Sequence, residues 1–394
     1  MSTDWIALEK ENYAFTVRRQ PIVLERGLGT QVWDVNGKEY LDFTAGWAVN
    51  NLGHCHPVMV EAIRQQAGTL LQTSNQFYTI PQLQLAQILV ENSALDKVFF
   101  GNSGAEAVEG AMKLARKYGK KNRDGAYEII TAFNSFHGRT LTGVSATGQP
   151  HYQEAWQPLT PGFVHVPFDD VEAIIEATTE KTAAVMLEPI QGEGGVNIPS
   201  DDYLQRVREW CDQQGLLLIL DEVQTGMGRL GSLFGYQEYG VEPDVIALAK
   251  GLGGGVPIGA FMSKDKCMAL EPGDHGSTFG GNPLTTAAAY ASAKYIVDND
   301  VASNSKAMGN RLMQRLEELK SRCSIISDVR GKGLLVAIEF TDDIGSRAIS
   351  LCNDAGVLFN MVKPNALRLM PPLNISPEDI DEGIARLEQA LGKL

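Results

Sequence analysis

Leu216-Leu-Leu-Ile-Leu-Asp-Glu-Val-Gln224 is followed along the chain by Asp244-Val-Ile-Ala-Leu-Ala-Lys-Gly-Leu-Gly-Gly-Gly255. Each stretch opens with a short apolar run of the kind that forms a buried strand. Three similar runs lie upstream: Val98-Phe-Phe100, Tyr127-Glu-Ile-Ile-Thr131 and Ala183-Ala-Val-Met-Leu187. Helical patterns separate them. Strands alternating with helices predict an α/β protein built on a mainly parallel sheet.

Charged residues close the two quoted strands. A carboxylate such as Asp221 at the end of an apolar strand costs several kcal/mol to bury without a cationic partner. Lys250 raises the same question with opposite sign. Either the two pair with each other, or a ligand lies between them. Ligands of open α/β sheets bind at the carboxyl ends of strands, where both residues fall. In pyridoxal phosphate chemistry an aspartate keeps the pyridine nitrogen protonated and a lysine holds the aldehyde as a Schiff base.

Val98–Phe100 leads into Gly101-Asn-Ser-Gly-Ala-Glu106. Ser103-x-x-Glu106 is a capping box and predicts a helix from Gly104, with Val108, Ala111, Met112 and Ala115 on its apolar face. Gly104 and Ala105 leave the first amides bare, so this is either a phosphate site or only a well-capped helix.

The chain ends read differently. Val32-Trp-Asp-Val-Asn-Gly-Lys-Glu-Tyr-Leu41 is a hairpin with an Asn-Gly turn. Strand-like pieces lie near Leu334–Phe340 and Ala366–Met370. Ser376-Pro-Glu-Asp379 starts a helix whose apolar stripe is Ile380, Ile384, Leu387 and Leu391. The expected layout is an N-terminal segment of a small domain (1–55), a large α/β domain (56–290) and a C-terminal small α+β domain (291–394).

Composition excludes several classes. Of 394 residues, 34 are lysine or arginine and 48 aspartate or glutamate, a net charge of −14. An acidic surface repels nucleic acid and anionic lipid. Five scattered cysteines form no disulfide framework or zinc pattern and point to a reducing cytoplasm. The start Met1-Ser-Thr-Asp-Trp-Ile lacks a signal pattern, and no apolar run reaches the ~18 residues of a membrane span. Gly226-Met-Gly-Arg-Leu-Gly231 matches the dinucleotide fingerprint but neither follows a strand directly nor opens a helix, which argues against a nicotinamide or flavin site. His54-Cys-His56 and His137 lack further ligands at usable spacing, so no metal is expected.

Asn102-Ser-Gly-Ala-Glu-Ala107, Ser135-Phe-His-Gly-Arg-Thr140 and Glu188-Pro-Ile-Gln-Gly-Glu-Gly-Gly195 resemble motifs of the class III pyridoxal-phosphate aminotransferases. So do Asp221-Glu-Val-Gln-Thr-Gly226, Ala249-Lys-Gly-Leu-Gly-Gly-Gly255 and Gly276-Ser-Thr-Phe-Gly-Gly-Asn-Pro283. They are ordered as in that family from about Tyr13 to the C-terminus. Within it the chain is most similar to the acetylornithine and succinylornithine group.

The resemblance implies fold type I and a homodimer with active sites at the subunit interface. It implies that Lys250 is the Schiff-base lysine and proton shuttle, and that Asp221 binds the pyridine nitrogen of pyridoxal 5′-phosphate. Gln224 would reach the ring hydroxyl, and Phe136 would stack on the ring. Ser103, Gly104 and Ala105 would hold the phosphate, with Thr278 added from the neighbouring subunit. Arg368 would bind the α-carboxylate of glutamate or 2-oxoglutarate, covered by Glu193 when the amine substrate is bound. Arg139, with Ser277 close by, would hold the carboxylate of an acylornithine. The implied reaction moves the δ-amino group of N2-acetyl-L-ornithine to 2-oxoglutarate, giving N-acetylglutamate 5-semialdehyde and glutamate, a ping-pong step of arginine biosynthesis. The alternative is another ω-aminotransferase, acting on succinylornithine, ornithine or 4-aminobutyrate. Gly46 stands where ornithine aminotransferases place a tyrosine, which leaves room for an acyl group. Trp47 is expected to reshape the pocket entrance, and Val108, where the family commonly has asparagine, to affect packing only.

Overall fold

A computed structural model describes residues 4–394, so the Met1-Ser-Thr start lies outside the described residues. In chain order the strands are β1 (Leu24–Leu28), β2 (Gln31–Asp34), β3 (Glu39–Asp42), β4 (Lys97–Gly101), β5 (Glu128–Ala132), β6 (Phe163–Val166), β7 (Thr182–Leu187) and β8 (Leu217–Asp221). They continue as β9 (Val245–Leu248), β10 (Gly259–Ser263), β11 (Ile326–Lys332), β12 (Leu335–Phe340), β13 (Val357–Leu358), β14 (Asn360–Lys363) and β15 (Ala366–Leu369).

The central sheet has seven strands in the order β4-β10-β9-β8-β7-β5-β6. The five apolar runs of the sequence are β4, β5, β7, β8 and β9. All its strands run parallel except β10, which is antiparallel to both neighbours. Sequence reading missed β10 because its residues continue the apolar sweep beyond the Gly251–Gly255 loop. It missed β6 because His165 interrupts a run of only four residues. Parallel strands deliver their carboxyl ends to one edge, so the segments after β4, β5, β7, β8 and β9 meet there.

The helix Gly104–Asn122 packs across this sheet. Its Val108, Ala111, Met112 and Ala115 are buried against Ala184, Ile219 and Ala247. A Cβ on Gly110 would overlap the Phe261 ring, so glycine sets how closely helix and sheet approach. The Ser103 hydroxyl accepts from the Glu106 amide at 3.3 Å, as the capping box requires. The Glu106 carboxylate reaches the Asn102 amide rather than that of Ser103, so the reciprocal half is shifted by one residue.

Two four-stranded sheets flank the centre. In one, the N-terminal hairpin β2–β3 joins the C-terminal β13, with Val357 opposite Leu41. Its turn is held by the Asp34 carboxylate, which accepts from the Asn36 and Lys38 amides at 2.9 Å. In the other, ordered β11-β12-β15-β14, Arg368 on β15 lies between Ala337 and Asn360. The final helix, Pro377–Leu391, is capped by Ser376 and buries Ile380, Ile384, Leu387 and Leu391. The expected division at 290/291 falls inside the helix Pro283–Asp298. Among the described residues no helix is long and apolar enough to cross a membrane.

Candidate active site

A cavity of about 410 Å³ opens at the carboxyl edge of the central sheet. Ser103, Gly104, Ala105, Phe136, Arg139, Glu193, Asp221, Gln224 and Lys250 all line it, delivered by the ends of β4, β5, β7, β8 and β9 and the segments that follow them. Ladder pairing sets the spacing of the two charged strand ends: Asp221 lies opposite Ala247, three residues before Lys250.

The direct Asp221–Lys250 pair that the sequence allowed is not formed. Asp221 is 4 % exposed, and its Oδ2 lies 2.9 Å from Nδ1 of the buried His137. Its Oδ1 accepts from the Val223 amide at 3.1 Å. Lys250 is left facing the cavity, and burial holds its pKa below the ordinary 10.5. Its φ of 45° is left-handed, a conformation that costs a non-glycine residue about 1–2 kcal/mol. Strain of this kind collects at functional sites.

A second cluster stands beside them. Arg368 does not line the cavity; it is 1 % exposed and lies one layer behind. Its Nη1 is 2.7 Å from Glu193 Oε1 and donates to Gln224 Oε1 at 3.0 Å. Its Nη2 donates to Asn360 Oδ1 at 2.7 Å. Gln224 in turn donates to Glu193 at 3.2 Å, closing a triangle. Burial raises the Glu193 pKa, but Arg368 and Lys250 outweigh it and hold the carboxyl below its ordinary range.

Sequence reasoning missed several participants. His137, weighed only as a metal ligand, is the partner of Asp221; the signal was an unpaired carboxylate needing a donor. Glu188 accepts from the Phe136 amide at 2.9 Å and the Gly192 amide at 3.1 Å, tying the two loops together. Its burial pushes its pKa up to about 7. Val108, read as a packing residue, is a wall of the cavity.

Other expected residues lie elsewhere. Ser277 and Thr278 are not in this chain's cavity, and Ser277 Oγ instead accepts from Asn102 Nδ2 at 3.1 Å. The Thr278 carbonyl accepts from Gln72. From the Gly46 stretch only Val49 reaches the cavity, while Trp47 lines a separate groove beside Asn360.

The donor set fits pyridoxal phosphate. A buried carboxylate and a half-buried lysine bound the cavity, an aromatic ring lines it, and a helix N-terminus opens onto it. A side chain at Gly104 would press on Val223 at 3.0 Å and fill the space over the bare amides. The buried His137 Nε2 and Arg368 Nε have no hydrogen-bond partner among the described residues.

Comparison with known proteins places the chain in a family. The family model of aminotransferase class III matches residues 13–391. The acetylornithine aminotransferase of Methanocaldococcus jannaschii is 50 % identical, over 99 % of this chain and 98 % of its own. That of Caldanaerobacter subterraneus subsp. tengcongensis is 48 % identical over 99 % of both chains. Among solved structures, ornithine aminotransferase from Toxoplasma gondii superposes with a TM-score of 0.96 at 35 % identity, covering 100 % of this chain and 96 % of its own. Acetylornithine aminotransferase from Elizabethkingia anophelis gives 0.89 at 35 % identity, over 99 % and 98 %. The Toxoplasma enzyme has also been seen with PLP in its active site. Sequence, fold and cavity converge: this chain belongs to the class III aminotransferases, enzymes that work with pyridoxal phosphate.

Proposed function

We propose that the chain moves the δ-amino group of N2-acetyl-L-ornithine to 2-oxoglutarate. The observation that carries this reading is the Arg368–Glu193 pair beside Lys250. It is a carboxylate site that is masked while an ω-amine reacts and exposed when a 2-oxo acid arrives. The names of the similar acetylornithine aminotransferases support it. Arg139 lies in the loop after β5 and stacks on Tyr152 at 4.2 Å, leaving its guanidinium to hold the carboxylate of the acylated donor.

The bound cofactor supplies a protonated ring that draws electrons from the carbon losing its proton. The rest is the work of this chain. Ser103 caps the Glu106 amide and leaves the Gly104 and Ala105 amides free, so these would hold the phosphate. Phe136, on the cavity wall, would stack on the ring. Asp221, held by His137, would accept a hydrogen bond from the protonated ring nitrogen. Gln224, beside Arg368, would reach the ring hydroxyl. Lys250 Nζ takes the proton from the donor's δ-carbon, and burial, which lowers its pKa, favours the neutral amine that this step needs.

Ser277 and Thr278 act in the cavity of a second copy. Hydrogen bonds from Asn75 to the Ser277 and Gly280 carbonyls hold this loop against a segment that exposes Phe77, Tyr78 and Ile80. An exposed apolar patch of this kind calls for a partner surface, so the working unit is a homodimer. The setting is the cytoplasm.

The test is a substrate panel with 2-oxoglutarate as acceptor: acetylornithine, succinylornithine, free ornithine and 4-aminobutyrate. Acetylornithine should give the highest kcat/KM. A higher value for free ornithine or 4-aminobutyrate overturns the reading.

A further inference from the structure

Gly226-Met-Gly-Arg-Leu-Gly231, the glycine pattern whose context does not suit a dinucleotide fingerprint, is where the flanking sheets meet the central one. Arg229 at its centre is 0 % exposed and forms no ion pair among the described residues. A buried guanidinium without a carboxylate is costly to keep. Every oxygen it holds is neutral. Nη1 donates to the Leu334 carbonyl at 3.0 Å and the Pro371 carbonyl at 2.6 Å, and Nη2 donates to Asn51 Oδ1 at 2.8 Å. Burial lowers its pKa to about 9, so it is still charged at neutral pH.

These acceptors come from the two sides of the cavity. Pro371 lies three residues after Arg368, and Leu334 precedes β12, the neighbour of the Arg368 strand. Asn51 faces the other way. Its Nδ2 donates to the Met227 carbonyl at 2.8 Å, and its own carbonyl accepts from the Leu373 amide at 2.7 Å. The Asn51 amide also occupies the space that a Cβ on Gly251, the residue after Lys250, would need. The glycines let this joint close: a Cβ on Gly333 would come within 2.5 Å of the Arg229 carbonyl. Lys250, Asp221 and Arg139 all sit on the central sheet's edge, whereas Arg368 comes from a different sheet. Its distance from Lys250 is therefore set by whatever joins the sheets.

We propose that Arg229 is a positioning residue that fixes the strand exit of Arg368 against the Lys250 loop, and so sets the geometry of the carboxylate site. It touches neither substrate nor cofactor. The inference rests on Arg368 being the carboxylate site, and an Arg368→Ala control tests that part separately.

The experiment measures glutarate, an unreactive dicarboxylate, binding to holoenzyme by calorimetry, alongside the single-turnover rate with an amine donor. In Arg229→Met the glutarate Kd should rise at least about tenfold, while the donor half-reaction stays within about threefold of wild type. Arg229→Lys, which can reach some of the same carbonyls, should recover part of the affinity. An unchanged Kd in folded Arg229→Met overturns the proposal. So does a donor half-reaction that falls as much as glutarate binding, since that is a general loss of structure. Should Arg229→Met not fold, Asn51→Ala removes the Nη2 acceptor and is judged by the same two readings. If Arg368→Ala leaves glutarate affinity unchanged, the carboxylate-site reading is wrong and the proposal falls with it.

Discussion

Arg368 Nη1 and Glu193 Oε1 are 2.7 Å apart, with the arginine 1 % exposed and the glutamate side chain 28 % exposed. The guanidinium is thus fixed, by Gln224 and Asn360, while its carboxylate partner reaches solvent. The glutamate is the half that can leave. An incoming carboxylate must displace it to reach the arginine.

Glu193→Gln removes that competition. The KM for 2-oxoglutarate should fall about tenfold, corresponding to roughly 1.4 kcal/mol. Glutamate should also become a more frequent unwanted donor. Steady-state kinetics with varied 2-oxoglutarate decides it, and a raised KM would mean that Glu193 helps to bind the acid rather than mask its site.

Lys250→Ala should lower kcat by about 10³-fold or more, because the proton at the reacting carbon loses its base. Far-UV circular dichroism should be unchanged. The left-handed φ of 45° adds a second expectation. Lys250→Gly apoprotein should melt no lower than Lys250→Ala, since glycine carries no steric penalty there.

The main sheet and the cofactor end of the site were legible because their signals are local. Apolar runs mark β8 and β9, and Asp221 and Lys250 are conspicuous as charges closing them. Ser103 is readable from its cap. What stayed hidden depends on distance along the chain. The His137–Asp221 bond spans 84 residues, and the Arg229–Pro371 bond spans 142. Nothing local in Ser135-Phe-His-Gly-Arg139 reveals which carboxylate the histidine will meet. Strand β10 hid for another reason: its apolar residues merge with the preceding run, and only the turn at Gly253–Pro257 separates them.

Glu188 gives the protein a pH signature. Unfolded, it titrates near 4.5; folded, burial lifts it to about 7. The folded state holds the extra proton between those values. Its contribution to stability is therefore full below about pH 4.5 and lost as pH rises through about 7. Glu188→Gln cannot titrate. Relative to that variant, wild-type apoprotein should lose about 3 kcal/mol between pH 4.5 and pH 8. Glu222, also lifted to about 7 by burial, is common to both proteins and cancels. Denaturant titrations at the two pH values supply the comparison, and a pH-independent difference would show that Glu188 keeps an ordinary pKa.

Ser103→Ala separates capping from phosphate binding. Losing the bond to the Glu106 amide should cost about 1 kcal/mol of stability in apoprotein. Cofactor affinity should fall as well if the same hydroxyl or the amides it orders meet the phosphate. Thermal melts with and without cofactor distinguish the two: a pure cap shifts both melts equally, whereas a direct bond to the phosphate makes the holoenzyme shift larger.

Gly46→Tyr tests whether the turn that leads to Val49, a wall of the cavity, shapes an acyl pocket. Gly46 has a φ of 62° and sits in a left-handed turn with Ala45, Trp47 and Ala48. A Cβ there would come 3.3 Å from Asn50 Nδ2, close but open to adjustment of that side chain. The turn is anchored by Asp42, whose Oδ1 accepts from the Thr44 and Ala45 amides, so it should keep its shape under a strain of about 1–2 kcal/mol. Gly46 does not itself line the cavity, but a phenol extending from it past Val49 would take space from an acyl group and offer an oxygen to a free α-amine. The ratio of kcat/KM for acetylornithine to that for ornithine should therefore fall by about 10²-fold, the scale on which an added hydrogen bond and a blocked pocket together discriminate substrates. The KM for 2-oxoglutarate, bound at Arg368, should not move. If both donors lose activity equally, the turn has collapsed; if neither changes, position 46 does not face the donor, and the acyl preference must come from Arg139 and its neighbours.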